Sequence, residues 1–186
     1  MFPILFVGIV VVQRLIELVI ARNNEKWMKS QGAIEYGKGH YKFMVLIHSL
    51  FFVSLLIEFK WTGGKVHSLW LLFLILFLLA QIGRVWVLSS LGKYWNTKIL
   101  VLPNADVVAK GPYKYMKHPN YVLVTIELIV IPIMFQAYWT LFFFGCLNQL
   151  ILAVRIPEEE KALEEITDYK ETHEHTYRFV PTVKKD

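Results

Sequence analysis

Two short polar stretches lie directly against long apolar runs: GPYKYMKHPNYV at residues 111–122 and RIPEEEKAL at residues 155–163. Their side chains define a chemistry. Glu158, Glu159 and Glu160 surround a helix at the membrane interface, and Arg155 lies on the same helix. Pro119 fits the first position of a helix, which places His118 near the N-cap. The amides of Asn120 and Tyr121 then stand unpaired at the positive helix end, where a carboxylate or phosphate binds. Asn148, Arg155 and Glu159 share one helical face, provided that the helix continues through Pro157. Each residue also has a plainer account: Tyr113, Tyr115 and Tyr121 as an interfacial aromatic belt, His118 as a hydrogen-bonded cap, the glutamates as a solvated face.

Other chemistries are poorly served. Cys146 is the only cysteine, so the chain holds neither an internal disulfide nor a cysteine-ligated metal site. His173 and His175 make a weak metal pattern, and no metal is expected. No Gly-rich loop stands between a strand and a helix, so a Rossmann-type cofactor site is not supported. The net charge of +5 does not indicate nucleic acid, because the lysines are not interleaved with stacking aromatics in a binding module.

These residues must be positioned by a membrane domain. The chain has 186 residues, 55% of them hydrophobic, with a mean hydropathy of +0.43. Its apolar runs approach or exceed the roughly 18 residues of a membrane span. Five spans are predicted, at about residues 2–20, 43–59, 68–89, 121–136 and 138–154. The last two are nearly continuous. As one helix they would run ~51 Å, too long for a hydrocarbon core of ~30 Å. A helical hairpin is expected instead, with Pro132 loosening its first arm and Gln136–Ala137 at the turn. The N-terminal run lacks a basic n-region and a small-residue cleavage signal, and reads as a retained span. The expected fold class is therefore an all-α integral membrane protein, one domain over 1–186, with a three-helix part (1–89) and a C-terminal part (90–186) that carries a polar site at the membrane surface.

Lysine and arginine fall unevenly around the spans. The segments 21–42 and 90–120 hold five each and the tail 155–186 holds six, against two in 60–67 and none at the hairpin turn. By the positive-inside rule the N-terminus is outside, and the sixteen-charge side, with both polar stretches, is cytoplasmic. Within the spans stand Arg14 and Glu17, which share a face with Gln13, and also Glu58, Gln81, Arg84 and Glu127. Such groups face a bundle interior or a polar cavity. Pairing between helices, as Arg14–Glu17 or Arg84–Glu58, accounts for them; a substrate or ion pathway, as in a small transporter or assembly subunit, is the alternative.

Taken together, Lys117-His118-Pro119-Asn120-Tyr121 before the hairpin and Arg155-Ile156-Pro157-Glu158-Glu159-Glu160 after it resemble the isoprenylcysteine carboxyl methyltransferase family. Gly111-Pro112-Tyr113 and the ending Tyr177-Arg178-Phe179-Val180-Pro181 match as well, so that the resemblance covers about residues 90–184. Lys117 stands where the family has arginine, Leu123 where many members have glycine, and the usual Phe-Gly after the glutamates is missing. The N-terminal half resembles a short bacterial branch, some of whose members O-methylate alkylpyrones or alkylresorcinols. The resemblance implies S-adenosylmethionine as methyl donor, with Tyr113, His118, Pro119, Tyr121 and Glu159 around the cofactor and Arg155 and Glu160 at the reacting end. It also implies a lipophilic acceptor that enters from the bilayer. Prenylcysteine carboxyl methylation, phospholipid N-methylation and an NADPH-dependent sterol-reductase-like activity are the competing enzymatic readings.

Overall fold

A computed structural model describes residues 2–182. Five long helices account for most of it: α1 (Phe2–Ser30), α2 (Lys38–Trp61), α3 (Trp70–Leu91), α4 (Pro119–Met134) and α5 (Tyr138–Ile166). The fold is thus the all-α membrane bundle expected from the apolar runs. Four of the helices are long and apolar enough to cross a bilayer, while α4 is equally apolar but has only 16 residues. Gln136, at φ 55°, turns α4 directly into α5, and the amide of Ala137 closes the turn on the carbonyl of Pro132 at 2.8 Å. Pro157 does not interrupt α5, which continues as one helix to Ile166.

The helices outrun the predicted spans at one end of the bundle. Past its apolar part α1 continues to Ser30 and stops in a Schellman turn: Gly32, at φ 92°, directs its own amide to Lys29 and that of Ala33 to Met28. The chain then forms β1 (Ile34–Tyr36), which pairs antiparallel with β2 (Ile99–Val101), Ile34 facing Val101. This ribbon was absent from the sequence reading. Between β2 and α4 the chain runs through a 3-10 turn at Gly111–Lys114, and after α5 comes the short α6 (Tyr169–Thr172). Gly111, at φ 58°, lies so close to α3 that a Cβ there would meet Ser90 Oγ at 2.1 Å, so no other residue fits without displacement.

Cross-links fix which loops share an end. The amide of His67 donates to the carbonyl of Met134 at 2.9 Å, and Gln136 Nε2 to that of Val66 at 3.0 Å. Phe2 packs on Trp70 and Phe135. The N-terminus, the α2–α3 loop and the hairpin turn therefore gather at one end. The ribbon, the segment 92–118 and the residues after α5 occupy the other. The uneven distribution of lysine and arginine is thus a two-ended property of the bundle; Lys184 and Lys185, counted with the tail, lie outside the described residues. Four apolar spans and this arrangement make a multi-pass membrane protein.

The core has an apolar and a polar part. Phe6, Phe51, Leu55, Phe77, Met134 and Phe135 pack near the hairpin-turn end. Lipid tails are as apolar as these side chains, so close packing and polar contacts, rather than water exclusion, hold the helices together. Glu127 on α4 accepts from Arg84 Nε at 3.0 Å, from Arg84 Nη2 at 2.7 Å, from Gln81 Nε2 at 2.7 Å and from Arg14 Nη2. Arg14 also donates to Glu17 at 2.6 Å, and Gln13 bridges Glu17 and Gln81. The expected Arg14–Glu17 pair is present, but the Arg84–Glu58 pair is not: Arg84 belongs to Glu127. Glu58 instead caps α5, accepting from the amides of Trp139 and Thr140 at 2.9 and 2.7 Å. A carboxylate there meets the unpaired amides of a helix start, a better partner for it than a distant guanidinium.

Candidate active site at the basic end of the bundle

From the end opposite the hairpin turn a cavity of about 660 Å³, lined by residues of all five long helices, runs into the bundle, in the size range of small-molecule sites. Pro119 begins α4 and His118 is its N-cap, with no side chain capping the first-turn amides. The backbone before α4 is held by the chain after α5. Lys117 N donates to Tyr177 O at 2.9 Å, His118 N to Arg178 O at 3.0 Å, and Thr182 N to Tyr115 O at 2.8 Å. The two polar stretches are therefore brought together through backbone as well as side chains.

The three consecutive glutamates diverge, because successive residues on a helix are turned by about 100°. Glu158 pairs with His40 Nδ1 of α2 at 3.0 Å. Glu159 accepts from the Tyr121 hydroxyl, which in turn accepts from Arg155 Nε at 2.7 Å. Glu160 accepts from Arg178 through Nε at 3.0 Å and Nη2 at 2.6 Å, and its Oε1 lies 2.9 Å from His118 Nε2. Tyr113, His118, Tyr121, Arg155 and Glu159 line the cavity. Pro119 and Glu160 do not: Pro119 is backbone scaffolding, and Glu160 lies behind His118, clamped by Arg178. His118 stacks on Tyr121 at 5.3 Å between ring centres, so the clamp reaches the cavity wall through that ring.

Electrostatics agree with a buried, structured site. Burial, reinforced by the Glu159 carboxylate, pushes the Tyr113 phenol well above its ordinary range. Burial and the neighbouring glutamates do the same to Tyr169. Both hydroxyls therefore stay protonated, with a proton free to donate. The hydrogen bond to Glu160 raises the pKa of Arg178, so the clamp stays charged.

Several wall residues escaped the sequence reading. Arg155 Nη2 donates to the carbonyl of Thr97 at 2.8 Å, and Tyr41 Oη contacts Thr97 Oγ1 at 3.2 Å, tying α2, the ribbon segment and α5 around the guanidinium. Arg155 Nη1, Trp95 Nε1, Asn120 Oδ1 and the Tyr169 hydroxyl are buried without a hydrogen-bond partner among the described residues, and all four residues line the cavity. An unpaired buried polar group costs about 1–3 kcal/mol. Such groups are paired by ordered water or by a bound molecule, and these four surround one cavity. Nothing in the sequence linked Trp95 or Tyr169 to the two motifs, since neither lies in a recognisable spacing with them.

A bundle of apolar helices thus carries, at one end, a cavity walled by His118, Tyr121, Arg155 and Glu159, with Glu160 behind His118 and the exposed Arg178 clamping Glu160. The profile of the isoprenylcysteine carboxyl methyltransferase (ICMT) family matches residues 71–165, from α3 to the end of α5. The chain is 48% identical to the uncharacterized protein YpbQ of Bacillus subtilis (strain 168) over 161 residues, 87% of this chain and 96% of that one. It is 32% identical to an uncharacterized protein of Haemophilus influenzae over 154 residues, 82% of this chain and 90% of that one. The chain belongs to the isoprenylcysteine carboxyl methyltransferase family, whose members are methyltransferases.

Proposed function

We propose that the protein is an integral-membrane, S-adenosylmethionine-dependent O-methyltransferase of a lipophilic acceptor such as an alkylpyrone or alkylresorcinol, with its site on the cytoplasmic side. The observation that carries this reading is the set of unpaired buried polar atoms in a cavity that also reaches the lipid. The donor's groups fit those atoms. The uncapped amides of Asn120 and Tyr121 suit its carboxylate, Asn120 Oδ1 and Glu159 suit its ammonium and ribose hydroxyls, and the Trp95 and Tyr169 donors suit its ring nitrogens and oxygens. The acceptor side fits as well. Leu15, Val45 and Val53 line the cavity yet are 56%, 42% and 52% exposed, so the wall between α1 and α2 opens to lipid.

When bound, S-adenosylmethionine supplies an electrophilic methyl group on a sulfonium. The chain's part is placement and exclusion of water, which by themselves account for large accelerations in displacement reactions. Tyr121, held between Arg155 and Glu159, orients one wall; Tyr113 closes another. A hydroxyl acceptor with an ordinary phenolic pKa near ~10 gives up its proton to water at the open mouth of the cavity, and the Arg155 guanidinium, with Nη1 unused, stabilises the phenolate left behind. Glu160 acts on this site only through His118.

The test is methyl transfer from a labelled donor by the purified protein in lipid, offered alkylresorcinol, alkylpyrone and prenylcysteine acceptors. Labelled ether product from either of the first two is expected, and His118→Ala and Arg155→Ala reduce it at least tenfold. No product from any acceptor, together with no donor binding by calorimetry, would sink the proposal.

A further inference from the structure

The cavity has a second polar region, at membrane depth, which the reading above does not use. Arg14, Glu17, Arg84 and Glu127 line it, and so does His48 of α2. The first four are matched to one another, two guanidiniums against two carboxylates, with Gln13 and Gln81 filling in. His48 is different. Its Nδ1 lies 2.8 Å from the carbonyl of Met44, one turn earlier on α2. A carbonyl only accepts, so Nδ1 carries the proton, and in the neutral ring Nε2 keeps its lone pair. No bond to Nε2 is made among the described residues. The Ser49 hydroxyl beside it is already committed to the carbonyl of Val45 at 2.8 Å. At this depth no bulk water stands in for a missing partner. A histidine that merely satisfied its own helix would explain Nδ1, yet it leaves a hydrogen-bond acceptor on the wall through which a lipophilic molecule enters.

We propose that His48 is a specificity-determining residue: its Nε2 accepts a hydrogen bond from a hydroxyl of the acceptor, selecting a hydroxylated amphiphile over the corresponding ether. The inference rests on the lipophilic-acceptor reading and narrows it to acceptors that carry a free hydroxyl. A prenylcysteine carboxylate, ionised at neutral pH, and a fully etherified lipid have no hydroxyl proton to give. The distinction needs no charged partner, so it operates without disturbing the ion-pair network beside it.

The experiment uses the full-length protein in lipid nanodiscs with ¹⁵N-histidine, read by NMR, with 5-pentadecylresorcinol and its dimethyl ether as probes. In the free protein Nε2 is expected to be the unprotonated nitrogen. The resorcinol shifts that resonance toward the hydrogen-bonded position; the dimethyl ether does not. His48→Phe, whose fold is checked by unchanged S-adenosylmethionine affinity, binds the resorcinol about tenfold more weakly and the ether equally well, the effect of one lost hydrogen bond in a dry site. A protonated Nε2 in the free protein, equal shifts with both probes, or a resorcinol that leaves Nε2 unmoved overturns the inference. Loss of S-adenosylmethionine binding by the unaltered protein is a separate result, which would overturn the enzyme reading itself.

Discussion

At the scale of single residues, one turn of α5 sends three adjacent carboxylates to three tasks: Glu158 to α2, Glu159 to the cavity and Glu160 to the clamp on His118. The sequence shows that Glu158, Glu159 and Glu160 surround a helix, but not which faces α4, because that depends on how far α5 is rotated against its partner. His118 at the N-cap and Pro119 at the helix start were legible, since proline's missing amide favours that position. The partners of Arg155 were not, because Thr97 is 58 residues away and offers only its backbone carbonyl. Tyr121 is the hinge of this arrangement. Tyr121→Phe removes the hydroxyl that links Arg155 to Glu159 and leaves both short of a partner. The expected outcome is a loss of about 1–3 kcal/mol in stability and a turnover at least tenfold lower. Thermal unfolding in detergent and the labelled-donor assay measure the two effects, and an unaltered turnover would remove Tyr121 from the site.

At the scale of elements, the five long helices and the hairpin turn follow from apolar run length, but the short α6 and the two-stranded ribbon had no signal of their own. IEY and ILV are three residues each, too short for a two-residue period to declare itself. Ile99 and Val101 pack with Ala162 of α5 beneath the ribbon, and charge adds to that packing. Lys29 Nζ contacts Glu25 and Glu35 at 2.6 and 2.8 Å, and Lys98 Nζ contacts the same two carboxylates at 2.7 and 3.5 Å. The Lys29 hydrogen bond, with Lys98 nearby, holds the Glu35 carboxyl below its usual value, against the opposing effect of burial. Its folded pKa is depressed, so its contribution is complete above the ordinary glutamate pKa near ~4.3 and is lost as pH falls through the folded value. Amide exchange at Ile99–Val101, corrected for intrinsic rates, is expected to accelerate below about pH 4 in the natural chain. A Glu35→Gln chain should show that faster exchange already at pH 7. A ribbon equally protected at both pH values would mean that packing alone holds it.

At the scale of the whole molecule, the bundle is joined across its middle by one carboxylate. Glu127 takes donors from α1 and α3, so three helices meet at a single side chain. Glu127→Gln keeps the shape but leaves Arg14 and Arg84 short of their counter-charge at membrane depth. The expected loss is about 3–5 kcal/mol, against no measurable change for Glu165→Gln, whose pair with Lys161 is solvent-exposed. Chemical unfolding in micelles discriminates the two, and equal midpoints would make the network ornamental. The ordering of the chain has a further consequence for this molecule. Residues 177–182 lie alongside residues 115–118 and hold His118 from behind, yet they are synthesised only after α5. A chain still emerging from the ribosome can have all its helices in the bilayer and lack a closed site. The backbone bonds from Lys117 to Tyr177, from His118 to Arg178 and from Thr182 to Tyr115 form only after Thr182 has left the ribosome, so this end of the bundle is the last part of the fold to close.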